Sequence, residues 1–216
     1  MSRGRAVSRA RIIWVGVLAI YALFWAWYTG LRGPLTPQEV DMYMERMQRI
    51  ESNPERLAQV RKFLEEDTGR DFVVVNLIKL RDRPLQVGAV TPDESSRHVV
   101  DRYMEYMTPA MLARASHPVI GGEAAAAVLE AWGVENGEGW SLAAVMRYRS
   151  RRDLMEIATQ REFQQAHEYK IAAIEKTIAV PVDPVLQVAG PRVLLALVLI
   201  TVAALLHLLL ARPARS

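Results

Sequence analysis

The stretch Asp71–Asp82, DFVVVNLIKLRD, decides how this chain is read. Phe72 heads a run of Val, Leu and Ile, the β-branched and apolar residues that suit a pleated, half-buried surface. Asn76 interrupts the run. A buried amide left without partners costs about 1–3 kcal/mol. Asn76 is therefore either tied into an internal hydrogen-bond network or turned toward a space where something else binds. In a strand over about 71–80, it shares a face with Phe72, Val74, Ile78 and Leu80.

Upstream of the strand, Thr36-Pro37-Gln38-Glu39 has the form of a capping box with Pro at the first helical position. The following helix carries Val40, Tyr43, Met44, Met47 and Ile50 on one stripe. Asn53-Pro54-Glu55 starts a second helix, with Leu57, Val60, Phe63 and Leu64 apolar, and Thr68-Gly69 stops it. Residues 35–68 thus form a helical pair.

Downstream, RDRPLQVGAVTPDESS is a loop with Pro and Gly punctuation. A helix is expected over about 96–114, with Val99, Val100, Tyr103, Met104, Met107 and Met111 on its apolar side. PVIGGEAAAAVLEAW, residues 118–132, reads as a second strand, because Gly121-Gly122 precedes the Ala run and the turn GVENGEG follows it. WSLAAVMRYRS is a third strand. Ser150 and Asp153 open another helix, and Thr159-x-x-Glu162 is expected to cap the next, which carries Phe163, Ala166, His167, Lys170, Ile171 and Ile174 on one side. KTIAVPV is a short fourth strand. The order β-α-β-β-α-β is an α+β, ferredoxin-like arrangement over residues 70–183: a four-stranded antiparallel sheet with helices on one face. The other face must also be covered, most simply by a second copy of the chain.

Several pieces, in this order, resemble a known family. VVVNLIKLR, a helix with YMEYM, then GGE, then VMRYRSRRDLMEIA, then REFQQAHEYKIAAIEKT are similar to the domain of unknown function 1330 family, within the dimeric α/β-barrel superfamily. The resemblance covers about residues 70–182. It implies a ferredoxin-like fold that dimerises through its sheet, and it implies no reaction. Small monooxygenases, haem-handling proteins and lactone and dehalogenation enzymes share the superfamily, which is analogy of fold alone. The leading helices and the two apolar segments described next depart from the usual soluble form.

Residues 12–31, IIWVGVLAIYALFWAWYTGL, hold no charge over a length that crosses a hydrocarbon core of about 30 Å. The run is longer than a signal-peptide core and ends in FWAWYTG, not a small-x-small cleavage site. Trp25, Trp27 and Tyr28 sit where an aromatic belt would. Residues 192–211 supply a second span, with VLLALVLITVAALLHLLLA as its apolar body.

Charge supports this reading. Eight of the 27 Lys and Arg lie in the tails and junctions (Arg3, Arg5, Arg9, Arg11, Arg32, Arg192, Arg212 and Arg215), where none of the 24 acids falls. Residues 35–185 are left acidic, which argues against nucleic acid as a partner. The basic tails, residues 1–11 and 212–216, should both be cytoplasmic, with the domain outside the cytoplasm and the lipid bilayer as partner. A reporter fused at residue 35 that is active in the cytoplasm would sink this orientation. His207, inside the second span, reads as a neutral ring reaching the interface near Arg212. The chain has no Cys, so thiolate chemistry and disulfides are excluded.

The polar residues facing the expected core are few. Tyr148 shares a strand face with Leu142, Ala144 and Met146, while Arg147 points the other way with Val145. Tyr103 lies on its helix's apolar stripe with Tyr106 on the flank. His167 falls four residues after Phe163 and four before Ile171. Asn76, Tyr103, Tyr148 and His167 either cap one another in a core network or line a small-molecule pocket. In a pocket, His167 would exchange protons near neutral pH, and Asn76 would orient a carbonyl or hydroxyl. Gly121 and Gly122 would permit close approach, and Glu123 is a weaker candidate base.

No metal site or cofactor is expected. His98 and Asp101, with Glu94 and Glu105, fall opposite the apolar stripe. There is no phosphate loop, nucleophile elbow or dinucleotide fingerprint. A haem-handling role would need an axial ligand facing the pocket. RYRSRR, residues 147–152, reads as a solvated strand end in preference to an anion site. The functional expectation is small-molecule binding, or a structural or regulatory role at the membrane. The alternative is a membrane-tethered isomerase- or oxygenase-like enzyme acting on a small apolar compound, with His167 as acid and base.

Overall fold

The computed structural model describes residues 2–133, 139–185 and 190–211. The elements in order are α1 (Ser2–Thr29), α2 (Pro37–Gln48), α3 (Pro54–Glu65), β1 (Phe72–Leu80), α4 (Ser96–Leu112), β2 (His117–Glu123), β3 (Leu142–Tyr148), α5 (Arg151–Ala158), α6 (Arg161–Ala173), β4 (Ile174–Val182) and α7 (Pro191–Ala211). They divide into two compact units: Arg32–Pro184, and the pair α1 and α7 with their flanks.

The Arg32–Pro184 unit is an α+β, ferredoxin-like fold. Its sheet has the order β2-β3-β1-β4 and every neighbouring pair is antiparallel. This is the split β-α-β arrangement, in which each crossover helix returns the chain to the same face of the sheet. Register fixes the two faces. Asn76 lies opposite Ala144 on β3 and Ala179 on β4, and Phe72 opposite Tyr148. Phe72, Val74, Asn76, Met146 and Tyr148 therefore share the helix-covered face. Phe72 and Tyr148 stack at 5.6 Å between ring centroids and pack with Met107, Met111 and Ile157.

Local chemistry sets the helix ends. Thr36 and Glu39 form the reciprocal capping box: Thr36 Oγ1 accepts from the Glu39 N–H, and Glu39 Oε2 accepts from the Thr36 N–H. Asn53 Oδ1 accepts from the Glu55 and Arg56 N–H groups. Ser150 Oγ accepts from the Asp153 N–H. The expected box at Thr159 and Glu162 does not form. Thr159 closes α5, donating through both its N–H and its hydroxyl to the Met155 carbonyl, so α6 is capped by Gln160 without a side-chain bond.

The second strand is shorter than the sequence suggests. Glu123 pairs with Leu142, the first residue of β3, so residues 124–133 have no strand to face beyond one bond from the Ala124 N–H to the Ser141 carbonyl. The Ala run at 124–127 has little β propensity of its own and leaves the sheet. Most of the turn expected at 133–139 lies outside the described residues.

The largest departure concerns RYRSRR. It is neither a solvated strand end nor an open anion site. Arg147 is fully buried: its Nε donates to Asp71 Oδ2 at 2.8 Å and its Nη1 to the Ala115 carbonyl at 2.6 Å. Arg149 makes a two-pronged pair with Asp153. Arg151 lies over the Phe63 ring at 4.5 Å and donates to the Phe63 carbonyl. Arg152 reaches both oxygens of Glu39 at 2.8 Å each. The Arg152 guanidinium, helped by the Thr36 N–H, holds the Glu39 carboxyl down at about 2.

Arg151 and Arg152 thus fasten α2 and α3 to the end of β3. Tyr43, Leu64 and Met155 seal the same junction, and Tyr43 Oη donates to Glu156 at 2.7 Å. Each such buried apolar side chain contributes about 1.5–3 kcal/mol. The helical pair is part of the domain's wall.

The other unit holds α1 and α7. Each contains a 20-residue stretch, Ala10–Thr29 and Pro191–Leu210, long and apolar enough to cross a membrane. Gly30, at φ +71°, ends α1 in the left-handed conformation that glycine adopts without penalty. Trp14 Nε1 donates to His207 Nδ1 at 3.2 Å, and the Arg192 guanidinium lies over the Tyr28 ring at 5.1 Å. His207 is therefore engaged by the facing helix. The expected tails at 212–216, with Arg212 and Arg215, lie outside the described residues.

Candidate functional site

A cleft of about 650 Å³ opens between the inner sheet face and the helices. Its floor is Val74, Asn76 and Tyr148, continued on β4 by Thr177, Ala179 and Pro181. Helix α4 contributes Tyr103 and Met107, α5 Leu154 and Ile157, and α6 Phe163 and Lys170. The α2–α3 pair closes the remaining side with Met47, Val60 and Phe63. The cleft is open along β4, where Thr177, Ala179 and Pro181 are exposed. Its size and its mainly apolar lining with a few polar ends match small-molecule sites in general.

The amide of Asn76 has a definite orientation. Its Nδ2 lies 3.1 Å from the Val74 carbonyl and 3.2 Å from the Ala144 carbonyl. Carbonyl oxygens only accept, so the nitrogen must face them. The amide is half satisfied by the sheet, and Oδ1 is left as an acceptor at the floor of the cleft.

Tyr103 and Tyr148 also keep their hydroxyls for the cleft: neither makes a hydrogen bond among the described residues. Burial pushes the Tyr148 phenol up to about 12. Burial raises the Tyr103 phenol as well, reinforced by the nearby Tyr148 and Tyr106. Both remain protonated donors at neutral pH. Tyr106 is spoken for, donating to Gln160 Oε1 at 2.7 Å.

Lys170 completes the polar set, and the sequence did not single it out as a site residue. It occupies the apolar side of α6, three residues past His167, and that placement was the available signal. Its Nζ lies 5.7 Å from the Tyr103 ring centroid and makes no hydrogen bond or ion pair among the described residues. Burial lowers its pKa from the ordinary lysine value. The other charged groups on the lining, Glu51 and Arg56, pair with each other at 3.3 Å.

His167 sits beside the cleft and not on its lining. Its ring packs against Phe163 at 5.0 Å and Tyr103 at 6.2 Å, and its buried Nδ1 has no hydrogen-bond partner among the described residues. Burial, with a smaller contribution from the Lys170 charge, pulls its pKa down to about 4. The ring is therefore neutral at pH 7 and not poised between two states.

Gly121 and Gly122 lie elsewhere, exposed on the edge strand β2, with open space where a Cβ would stand. Glu123 is exposed and lies 3.6 Å from Arg97. On α4, His98, Asp101 and Glu105 are exposed, while Glu94 is taken by Arg102 and Thr91. Among the described residues, no group of three or more potential metal ligands comes together.

The chain matches no family model, and no curated protein matches it. Solved structures do resemble it. A protein of unknown function from Rhodopseudomonas palustris is 21% identical, covers 64% of this chain and 98% of its own, and superposes with a TM-score of 0.49. The methylated form of that protein gives 19% identity, 65% and 97% coverage and a TM-score of 0.51. A dimeric protein of unknown function and ferredoxin-like fold from Bacteroides fragilis NCTC 9343 is 20% identical over 55% of this chain and 99% of that one, with a TM-score of 0.33. At these identities the likeness is one of fold, and no activity comes with it.

Proposed function

We propose that this chain is a membrane-anchored small-molecule-binding protein whose cleft takes a small, largely apolar compound with one polar end. The observation that carries the reading is the 650 Å³ cleft in which Asn76 Oδ1, the Tyr103 and Tyr148 hydroxyls and the Lys170 ammonium find no hydrogen-bond or ion-pair partner among the described residues. Groups of this kind cost stability when left unpaired. A folded domain keeps them most readily where a ligand or ordered solvent completes them.

The test is solvent extraction of the full chain purified in detergent, with mass spectrometry of the extract. A stoichiometric apolar compound, which rebinds after removal and raises the melting temperature, is the expected result. A bare chain that no member of a panel of small apolar compounds stabilises would sink the reading.

The enzyme alternative draws less support. A group that both gives and takes a proton works best with a pKa near neutral, and His167, at about 4 and behind the lining, is not in its acidic imidazolium form at pH 7.

The anchor and the assembly belong to the same proposal. α1 and α7 would span the bilayer with both basic tails in the cytoplasm, leaving the cleft outside it. The uncovered sheet face favours a homodimer. Leu77 lies opposite Ile178, and Val75 opposite Val180 and Val145, with Ile120 alongside. Leu77, Ile120, Ile178 and Val180 are all exposed, forming an apolar patch of the type that marks an interface. Sedimentation of the full chain in detergent should give a dimer that Leu77→Asp splits. A wild-type monomer would remove this part of the proposal.

A further inference from the structure

We infer that the polar end of the ligand is a carboxylate, held by Lys170 and the tyrosine hydroxyls of the cleft. This deepens the proposed binding role and rests on it. The argument is one of charge balance at a named site. The lining holds three charged side chains: Glu51, Arg56 and Lys170. Glu51 and Arg56 neutralise each other at 3.3 Å. Lys170 has no counter-charge among the described residues, whereas each of the three buried guanidinium groups of this unit has one. Arg147 meets Asp71, Arg151 meets Asp67, and Arg152 meets Glu39.

The remaining free groups have matching chemistry. The Tyr103 hydroxyl is a donor on the same side of the cleft, since the Lys170 Nζ lies against its ring. The Tyr148 hydroxyl is a second donor. A carboxylate offers two oxygens and about four lone pairs, all acceptors, and can take an ammonium and one or two phenols together. A cationic head would meet Lys170 with like charge. A neutral alcohol would fill the apolar part and leave the ammonium uncompensated. The apolar body then lies along Val74, Met107, Leu154, Ile157 and Phe163.

Octanoate, octan-1-ol and octylammonium share one chain and differ in the head, so they separate the head from the pocket. Titration calorimetry of the full chain in lipid nanodiscs at pH 7, with empty nanodiscs as the blank, is the measurement. Octanoate should bind at least tenfold more tightly than octanol, and octylammonium should give no heat above the blank. Lys170→Met, and independently Lys170→Gln, should bring octanoate down to the octanol affinity and leave octanol unchanged. Equal affinities in the wild type, or an acid preference that survives both substitutions, would overturn the carboxylate assignment while the binding role stands. No binding of any of the three, together with a bare extract, would overturn both.

Discussion

Arg147, fully buried, and Lys170, half-buried, are both cations of one small domain, and they differ in what meets them. Arg147 ends inside a closed set of acceptors, the Asp71 carboxylate and the Ala115 carbonyl. Lys170 ends against a tyrosine ring beside an open cleft, with no acid. An ammonium is strongly hydrated and compact, so it loses much when water is removed and nothing replaces it. A guanidinium with its fork filled loses far less. The same contrast separates two regions of the domain. Around β3's end and the α2–α3 pair the buried charges Arg147, Arg151 and Arg152 are answered by the chain itself, which is the mark of construction. Beside the cleft Lys170 meets no acid among the described residues, which is what the proposed binding role requires.

Arg147 gives the largest expected effect and the most direct way to break the comparison. Arg147→Met keeps most of the apolar volume but leaves Asp71 and the Ala115 carbonyl without their donor. Removing one partner of a buried pair costs about 3–5 kcal/mol. Ala115 adds to the sensitivity, because at φ +51° it holds a left-handed conformation that a non-glycine residue adopts at a cost of about 1–2 kcal/mol. Hydrogen exchange of the β1 and β3 amides in the full chain should speed up by two to three orders of magnitude. Unchanged protection would mean that Arg147 is as dispensable as a surface charge, and the contrast with Lys170 would fail.

The sequence made the construction legible where its signals are local. Thr36 and Glu39, Asn53, and Ser150 with Asp153 announce helix starts through spacings of two or three residues, and all three form. Alternation along DFVVVNLIKLRD placed Asn76 with Phe72 and Val74, and the register agrees. What stayed hidden depends on contacts distant in the chain. RYRSRR looks like a solvated basic run until Asp71, Glu39 and Ala115 come within reach, and these lie 76, 113 and 32 residues away.

The extent of β2 was unreadable for the same reason. Its end is set by where β3 begins, not by the Ala run that follows it. For the site, periodicity assembled Asn76, Tyr103 and Tyr148. It put His167 with them because a helical wheel gives direction and not depth. It passed over Lys170, which lies on the same stripe, because a lysine there is ordinarily read as reaching solvent.

His167 gives the smaller effect, and it sharpens the comparison, because it is a third basic group of the same domain, one that answers burial by losing its proton. The groups facing it are the Tyr103 and Phe163 rings and the Lys170 charge, none of them acidic. Its folded pKa, about 4, lies below the ordinary histidine value of 6.5. Below pH 4 both folded and unfolded chains hold the proton, and the folded state bears the full penalty. Between 4 and 6.5 the unfolded chain holds more protons than the folded one, so stability rises with pH across that window and is level above it. Allowing for the partly solvated edge of the ring, the rise is on the order of 1–2 kcal/mol. Exchange rates of the α6 amides, corrected for intrinsic pH dependence, should show this slope in the wild type and lose it in His167→Phe. A slope that persists in the variant would assign it to another group. A wild-type slope of opposite sign would mean that the charged imidazolium is stabilised in the folded layer, and that basic groups here are met by acceptors after all.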